Sequence, residues 1–317
     1  MVSLNINLPE NFLDEEVRCE HTITREMKAV WAVELDLLAE FDRVCKKYNI
    51  KYCADGGTLL GAVRHKGFIP WDNDIDLAML RSEYEKLCAI APKEFKEPYF
   101  FQTNETDPGT ARGHAQLRNS QTTGMLVSEM KMGCKFNQGI FMDIFPFDAV
   151  PEDREELEQF YNELCLKKKK LRSVLWNYQY FYPLMRKNAD GKIDWGEECR
   201  RLLRHAQYKI TKPDYESYYK DFDIECQKYN SIDNLPMVAD FCMLIGMDRI
   251  QRYREDFEDL IEIDFEFLKI PAFRQYDRNL RRLYGENYMI PLKVENEHGE
   301  VILDTEKSYT EYLDNYR

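Results

Sequence analysis

Three aspartates at alternate positions, Asp72, Asp74 and Asp76, follow a Gly56-Gly57-Thr58 turn in a chain of 317 residues. If Asp74 to Met79 is a strand, period-two alternation puts Asp74, Asp76 and Ala78 on one face and Ile75, Leu77 and Met79 on the other. The apolar face can then enter a core while two carboxylates stand together. Like charges that close raise each other's pKa unless a cation sits between them. Oxygen ligands of this kind suit Mg²⁺ or Mn²⁺, and Mg²⁺ commonly joins one or two carboxylates to substrate phosphates.

Upstream, Ala54 to Val63 reads as a strand end, a glycine turn and a short helix. Gly56 and Gly57 let a backbone approach a ligand closely. The free amides of the following helix, with the Thr58 hydroxyl, are expected to face an anion such as phosphate. Arg64, His65 and Lys66 add cationic or polar groups after it. Two competing motifs fail on detail. Gly56 and Gly61 have Walker A spacing, but Ala62-Val63 stands where Lys and Ser/Thr are required. The aspartate triplet with Glu83 imitates an EF-hand loop, but Leu77 occupies the glycine position.

The stretch GGTLLGAVRHKGFIPWDNDIDLAM closely resembles the signature of the LicD family of phosphocholine transferases, related to the fukutins and built on the nucleotidyltransferase fold. The resemblance covers residues 25 to 300, most strongly 52 to 84, and resumes in Tyr284-Gly285-Glu286-Asn287-Tyr288 and Pro291. It implies metal-dependent transfer of a phospho-alcohol from a CDP-alcohol donor to a glycan or glycolipid acceptor. Gly56, Gly57 and Thr58 then meet donor phosphate, with Arg64 and Lys66 as neighbouring cations, and Asp74 and Asp76 hold Mg²⁺ or Mn²⁺. Asn73 stands where many members carry another aspartate, which leaves the Asp74/Asp76 pair intact.

In Gly139 to Phe145, Asp143 alternates with Phe141 and Phe145 on one strand face, so it is partly desolvated and needs a metal or basic partner. The segment FMDIFPFD resembles the one from which the family supplies a third carboxylate. Asp143 is therefore the expected third ligand or general base, with Asp148 the alternative. Arg118, ahead of Ser120, Thr122 and Thr123, is either a bidentate diphosphate clamp or a surface salt bridge. His298 lies at a family-like distance to meet phosphate, or is solvated.

The expected reaction is in-line phosphoryl transfer with CMP as leaving group. The alternatives are a nucleotidyltransferase that releases pyrophosphate from the same carboxylates, and a metal-dependent glycosyltransferase, which also uses Asp-x-Asp. A glycan- or metal-binding module without turnover is a further class.

The formal charge of −13 argues against a nucleic-acid polymer as partner. The run Lys167 to Lys170 is a solvated helix face or a surface for an anionic acceptor or membrane. Nine cysteines, odd in number and never spaced as CxxC, fit reduced thiols. The amino terminus lacks a secretory pattern, and no apolar run of about 18 residues is present. These features point to a cytoplasmic protein without a transmembrane segment, compatible with peripheral membrane association.

The expected architecture is α+β: a nucleotidyltransferase-like mixed sheet flanked by helices. An arm over 1–23 precedes a catalytic domain over 24–300, which includes a mainly helical region over 152–262, and a tail over 301–317 follows. Apolar positions from Met27 to Tyr48 recur at helical spacing, ending near Lys47 or Asn49. Ile50 to Cys53 suggests a first strand, and Ser82 could cap a helix through Ala91. Tyr99 to Gln102, His114 to Arg118, Thr122 to Val127 and Gly139 to Phe145 read as strands of one sheet. Trp176, Tyr178, Tyr180, Phe181 and Tyr182 are packing aromatics or a platform for a base or choline-like cation. Residues 183–195 read as a loop, and Tyr276 to Leu283 as a helix stopped by Gly285.

Overall fold

The computed structural model describes residues 1–317 except 182–184, 186–190, 293–300 and 316–317. A hairpin of β1 (Glu16–Arg18) and β2 (His21–Ile23) leads into α1 (Arg25–Tyr48). The Thr24 hydroxyl caps α1 by accepting from the Met27 amide at 3.3 Å, and Asn49 closes it in the left-handed conformation. The first residues are more than an arm: the amides of Asn5 and Ile6 donate to Asp36 on α1.

The chain then runs through β3 (Cys53–Ala54), α2 (Gly56–His65), β4 (Asp76–Leu80) and α3 (Arg81–Glu94). Helix α3 starts without a break after β4, so Leu80 occupies the N-cap and Ser82 lies within the first turn. Strands β5 (Tyr99–Gln102), β6 (Ala115–Asn119) and β7 (Thr123–Leu126) follow, then α4 (Val127–Met132) and the long β8 (Ile140–Ala149).

Beyond β8, α5 (Arg154–Arg172) passes into a wide π-helical turn, Ser173–Gln179, and α6 (Trp195–Thr211) and α7 (Tyr215–Cys226) complete a helical lobe. The helices stop there. Strands β9 (Met237–Ala239) and β10 (Gln251–Tyr253) return to the main sheet, so the helical lobe is shorter than 152–262. A hairpin of β11 (Leu260–Phe265) and β12 (Leu268–Phe273) precedes α8 (Tyr276–Tyr284), which ends at Gly285. Strand β13 (Val301–Asp304) and α9 (Tyr309–Asn315) end the chain.

The main sheet is mixed, in the order β10-β9-β8-β4-β3, and β6 joins β8 with β5 outside it. Among the described residues only β4 and β8 run parallel in it; the other pairs are antiparallel. Strand β8 is its axis, since its first half pairs with β6 and its end with β9. Strand β7 does not join this sheet. It pairs with β13, because the chain turns at Thr122 and the carboxy-terminal segment supplies its partner. Helix α1 covers the sheet, and Trp31, Leu35, Leu38, Phe41, Leu77 and Ile144 share one core.

Candidate active site

The sheet brings Asp76 and Asp143 side by side, because β4 and β8 pair in parallel with these two residues in register. Ile75, Leu77 and Met79 are fully buried on the other face, which fixes the direction of the carboxylates. Asp74 lies just before β4, in the loop, and not within the strand. Asp72 lies further up this loop, where its carbonyl accepts from the Trp31 indole at 2.9 Å. A core tryptophan thus anchors the loop that carries the acidic cluster.

The glycine turn also has a use inside the protein. Gly56 has a φ of +53°, and a Cβ there would lie 2.9 Å from Asp76 Oδ2; a Cβ on Gly57 would lie 2.7 Å from Asp72 Oδ2. The two glycines therefore make room for carboxylates at the N-terminus of α2, where the helix dipole favours negative charge. Thr58 Oγ1 accepts from the Asp76 amide at 2.8 Å and fixes the start of β4. Asp55, the residue before the turn, is gripped by the buried Arg252 guanidinium through contacts of 2.8 to 3.1 Å. Arg64 and Lys66 stand at the far end of α2, about 15 Å away for ten residues of helix. Arg64 donates to His65 Nε2 at 2.8 Å and to the Tyr288 carbonyl at 2.7 Å. The structure does not bring these two cations to the carboxylates.

Asp143 is held from β6. Gln116 Nε2 donates to Asp143 Oδ1 at 2.6 Å, and His114 Nε2 lies 3.3 Å from the same oxygen. Burial alone would raise the Asp143 pKa, but the pull of His114, the two hydrogen bonds and the charge of Arg112 outweigh it and leave it below the ordinary value. Asp76 goes the other way. Burial, then repulsion from Asp74, Asp143, Asp72 and Asp55, holds it well above the usual carboxylate range. Asp72 is raised by burial, partly offset by hydrogen bonds from Asp74 and the Asn73 amide.

Arg118 fits neither expected environment. It is 1% exposed, so it is not a surface salt bridge. Its fork donates to Gln102 Oε1 at 2.6 Å, the Gly139 carbonyl at 2.7 Å and Gln116 Oε1 at 2.5 Å, with its plane over the Phe141 ring. The guanidinium is thus occupied by protein acceptors and does not face a diphosphate. Burial, with repulsion from Arg112, lowers its pKa to about 9, so it remains charged at neutral pH. Because Gln116 accepts from Arg118 and donates to Asp143, Arg118 orients the amide that orients the carboxylate. Asp148 is five residues from Asp143 and so on the opposite face of β8. It is consumed by a buried bidentate pair with Arg81, at 2.8 and 2.7 Å, and by Asn230. His298 lies outside the described residues.

Sequence reasoning missed Glu34. It projects from α1 toward the acidic cluster, is 1% exposed, and its Oε2 has no hydrogen-bond partner among the described residues. Burial, and then the charges of Asp74, Asp72, Asp76 and Asp143, hold its pKa well above normal. A signal existed: Glu34 continues the series Val30, Trp31, Leu37, Leu38 and Phe41 on the buried side of α1. His114 and Gln116 were also missed, although His114, Gln116 and Arg118 alternate on one strand face, where polar side chains are unexpected in a core. His114 Nδ1 and Arg112 Nη1 are likewise buried without a partner among the described residues.

A carboxylate set of this kind, with one orphaned buried oxygen, has the donor chemistry of a hard divalent cation. As placed, no three acidic, imidazole or thiol groups among the described residues converge closely enough to enclose an ion. All nine cysteines are free thiols.

Residues 49–191 match the family model described as LicD/FKTN/FKRP, nucleotidyltransferase domain. Over 266 residues, 81% of this chain and 89% of the relative, the sequence is 27% identical to the lipopolysaccharide cholinephosphotransferase LicD of Haemophilus influenzae. A 57-residue stretch is 42% identical to an uncharacterized protein of Rickettsia prowazekii, covering 18% of this chain and 21% of that one. A 61-residue stretch is 41% identical to an uncharacterized protein of Rickettsia typhi, 19% of each chain.

Proposed function

We propose, from the match of residues 49–191 to the LicD/FKTN/FKRP nucleotidyltransferase domain, that the chain transfers a phospho-alcohol of the phosphocholine class to a hydroxyl of a cell-surface glycan. The donor is a CDP-linked alcohol and CMP leaves. The similarity to a lipopolysaccharide cholinephosphotransferase across most of both chains supports the transferred group and the glycan acceptor. The observation that carries the reading is the parallel register that sets Asp76 beside Asp143 at the N-terminus of α2.

In this reading Asp74, Asp76 and Asp143 would hold Mg²⁺ or Mn²⁺, with Glu34 and Asp72 close behind. When bound, the ion supplies positive charge against the donor diphosphate. The chain supplies the rest. Gln116 and His114 keep Asp143 fixed and ionised, so it serves better as a ligand than as a proton acceptor, for which a pKa nearer neutrality is suited. Thr58 and the Asp55–Arg252 pair hold the β3-α2 turn against β4, so the helix amides keep their aim. No described helix is long and apolar enough to cross a membrane.

A thermal-shift screen with Mg²⁺ tests the donor class, comparing CDP-choline, CDP-ribitol, CDP-glycerol and nucleoside triphosphates. Preferential stabilisation by a CDP-alcohol is expected. Stabilisation by triphosphates alone would favour a pyrophosphate-releasing nucleotidyltransferase.

A further inference from the structure

Helix α6 is turned inside out. Trp195, Cys199, Leu202, Leu203, Ala206 and Ile210 recur at three- and four-residue steps and form one apolar stripe. That stripe faces outward: Trp195 is 61% exposed, Leu202 53%, Leu203 70% and Ile210 83%. The inward face carries a buried charge pair and a histidine. Glu198 and Arg201 form a buried ion pair at 2.6 Å, the Arg201 guanidinium lies over Phe181, and His205 Nδ1 meets the Tyr178 carbonyl at 2.8 Å. Burying polar groups while exposing an apolar face about 25 Å long is costly for a free surface, and marks a docking face.

The segments that form this side of the lobe are basic in an acidic chain. Residues 166–179 and 192–212 together hold eleven Lys or Arg against three Asp or Glu, in a protein of net charge −13. Leu166, Lys169 and Lys170 of α5 line an open cleft of about 650 Å³ with Gln207, Tyr208 and Thr211 of α6, so the lysines adjoin the end of the stripe. A second copy is a poor occupant, because symmetric pairing would set this positive surface against itself. Nucleic acid would satisfy the cations but leave the apolar stripe wet.

We propose that α6 and the basic end of α5 dock the protein on an anionic lipid surface. The stripe from Trp195 to Ile210 lies at the headgroup and acyl boundary, and Lys169, Lys170, Lys209 and Lys212 face lipid phosphates. This goes beyond the transfer reaction and does not depend on it, since docking is read without turnover.

The test is co-sedimentation of the full chain with phosphatidylcholine vesicles and with mixed phosphatidylcholine–phosphatidylglycerol vesicles, at low and high salt. Wild type is expected to bind the mixed vesicles and to release about tenfold or more on neutral vesicles or in high salt. Leu203→Glu with Ile210→Glu, and separately Lys169→Glu with Lys170→Glu, should each weaken binding about tenfold or more, because each removes one of the two attractions. Melting temperatures should stay unchanged, since the altered side chains are exposed. The fluorescence difference between wild type and Trp195→Phe should shift blue on mixed vesicles. Absent wild-type binding, equal binding by both variants, or loss in the lysine variant alone would overturn the proposal. So would a dimer that Leu203→Glu with Ile210→Glu dissociates without affecting vesicle binding.

Discussion

Asp76 and Asp143 are direct neighbours across the parallel strands β4 and β8, yet their pKa values are driven apart, Asp76 well up and Asp143 down. Asp143 has His114 and Gln116; Asp76 has mostly other carboxylates around it. Two acids set apart by their surroundings characterise sites in which the groups take different parts. Asp143 is a fixed anion, while Asp76 requires an added positive charge to ionise readily.

Asp76→Asn and Asp143→Asn should each lower turnover by about a hundredfold or more, as expected when a charge on the reacting centre is lost. Neither changes core volume. Asp76→Asn should match or exceed wild type in metal-free melting temperature, because it removes repulsion. A large drop in melting temperature would show that the residue holds the fold together instead.

Glu34→Gln tests the orphaned carboxylate. A carboxyl whose folded pKa is raised contributes stability that is fully present below its unfolded value, about 4.3, and is lost as pH rises through the folded value. Metal-free wild type should therefore lose stability from Glu34 and Asp76 as pH climbs from about 4 toward neutrality, and Glu34→Gln should flatten that decline. Asp143, with its lowered pKa, contributes in the opposite sense, its stabilisation being lost as pH falls through the folded value. Melting curves that extend below about pH 4 for Asp143 and from there up to neutrality for Glu34 and Asp76, with and without Mn²⁺, check both signs. Mn²⁺ should stabilise wild type more at the upper end, by about 2.7 kcal/mol at a hundred times its Kd.

Arg118→Ala should cost about 3 kcal/mol or more, since it strands three buried acceptors and leaves a cavity beneath Phe141. Arg118→Lys should not restore it, because an ammonium cannot span Gln102, Gly139 and Gln116. Chemical denaturation reads the loss. A stable Arg118→Ala variant with weakened donor binding would return Arg118 to the role of a diphosphate clamp.

Arg252→Ala leaves the mostly buried Asp55 carboxylate without its bidentate partner, at a cost of about 3 kcal/mol or more. The loss should be nearly repaired in Asp55→Asn/Arg252→Met, which removes both charges. A double variant as unstable as the single one would show that the pair contributes more than charge compensation.

The parts readable in sequence were those with local periodicity or a compact motif. Helix α1, the turn at Gly56 and Gly57, and the strand position of Asp143 all follow from residues close together in the chain. What escaped was set by distant partners. Arg252 reaches Asp55 across 197 positions, and β13 claims β7 from the far end of the chain. Arg118 was misplaced because a buried arginine satisfied by amides and a carbonyl has the same local sequence as an exposed one. Glu34 was legible in principle, as an acid on the apolar side of α1, but only the fold reveals which carboxylates it meets.

The most direct test of the central claim is ³¹P NMR of CDP-choline incubated with the protein, Mg²⁺ and a glycan acceptor. Wild type should produce CMP and a phosphodiester-linked choline, with both signals lost in Asp76→Asn and Asp143→Asn. CDP-choline left unchanged by wild type while CTP, supplied in a parallel incubation, yields pyrophosphate, or CMP formed from CDP-choline by the two variants as fast as by wild type, would contradict phospho-alcohol transfer at this carboxylate pair.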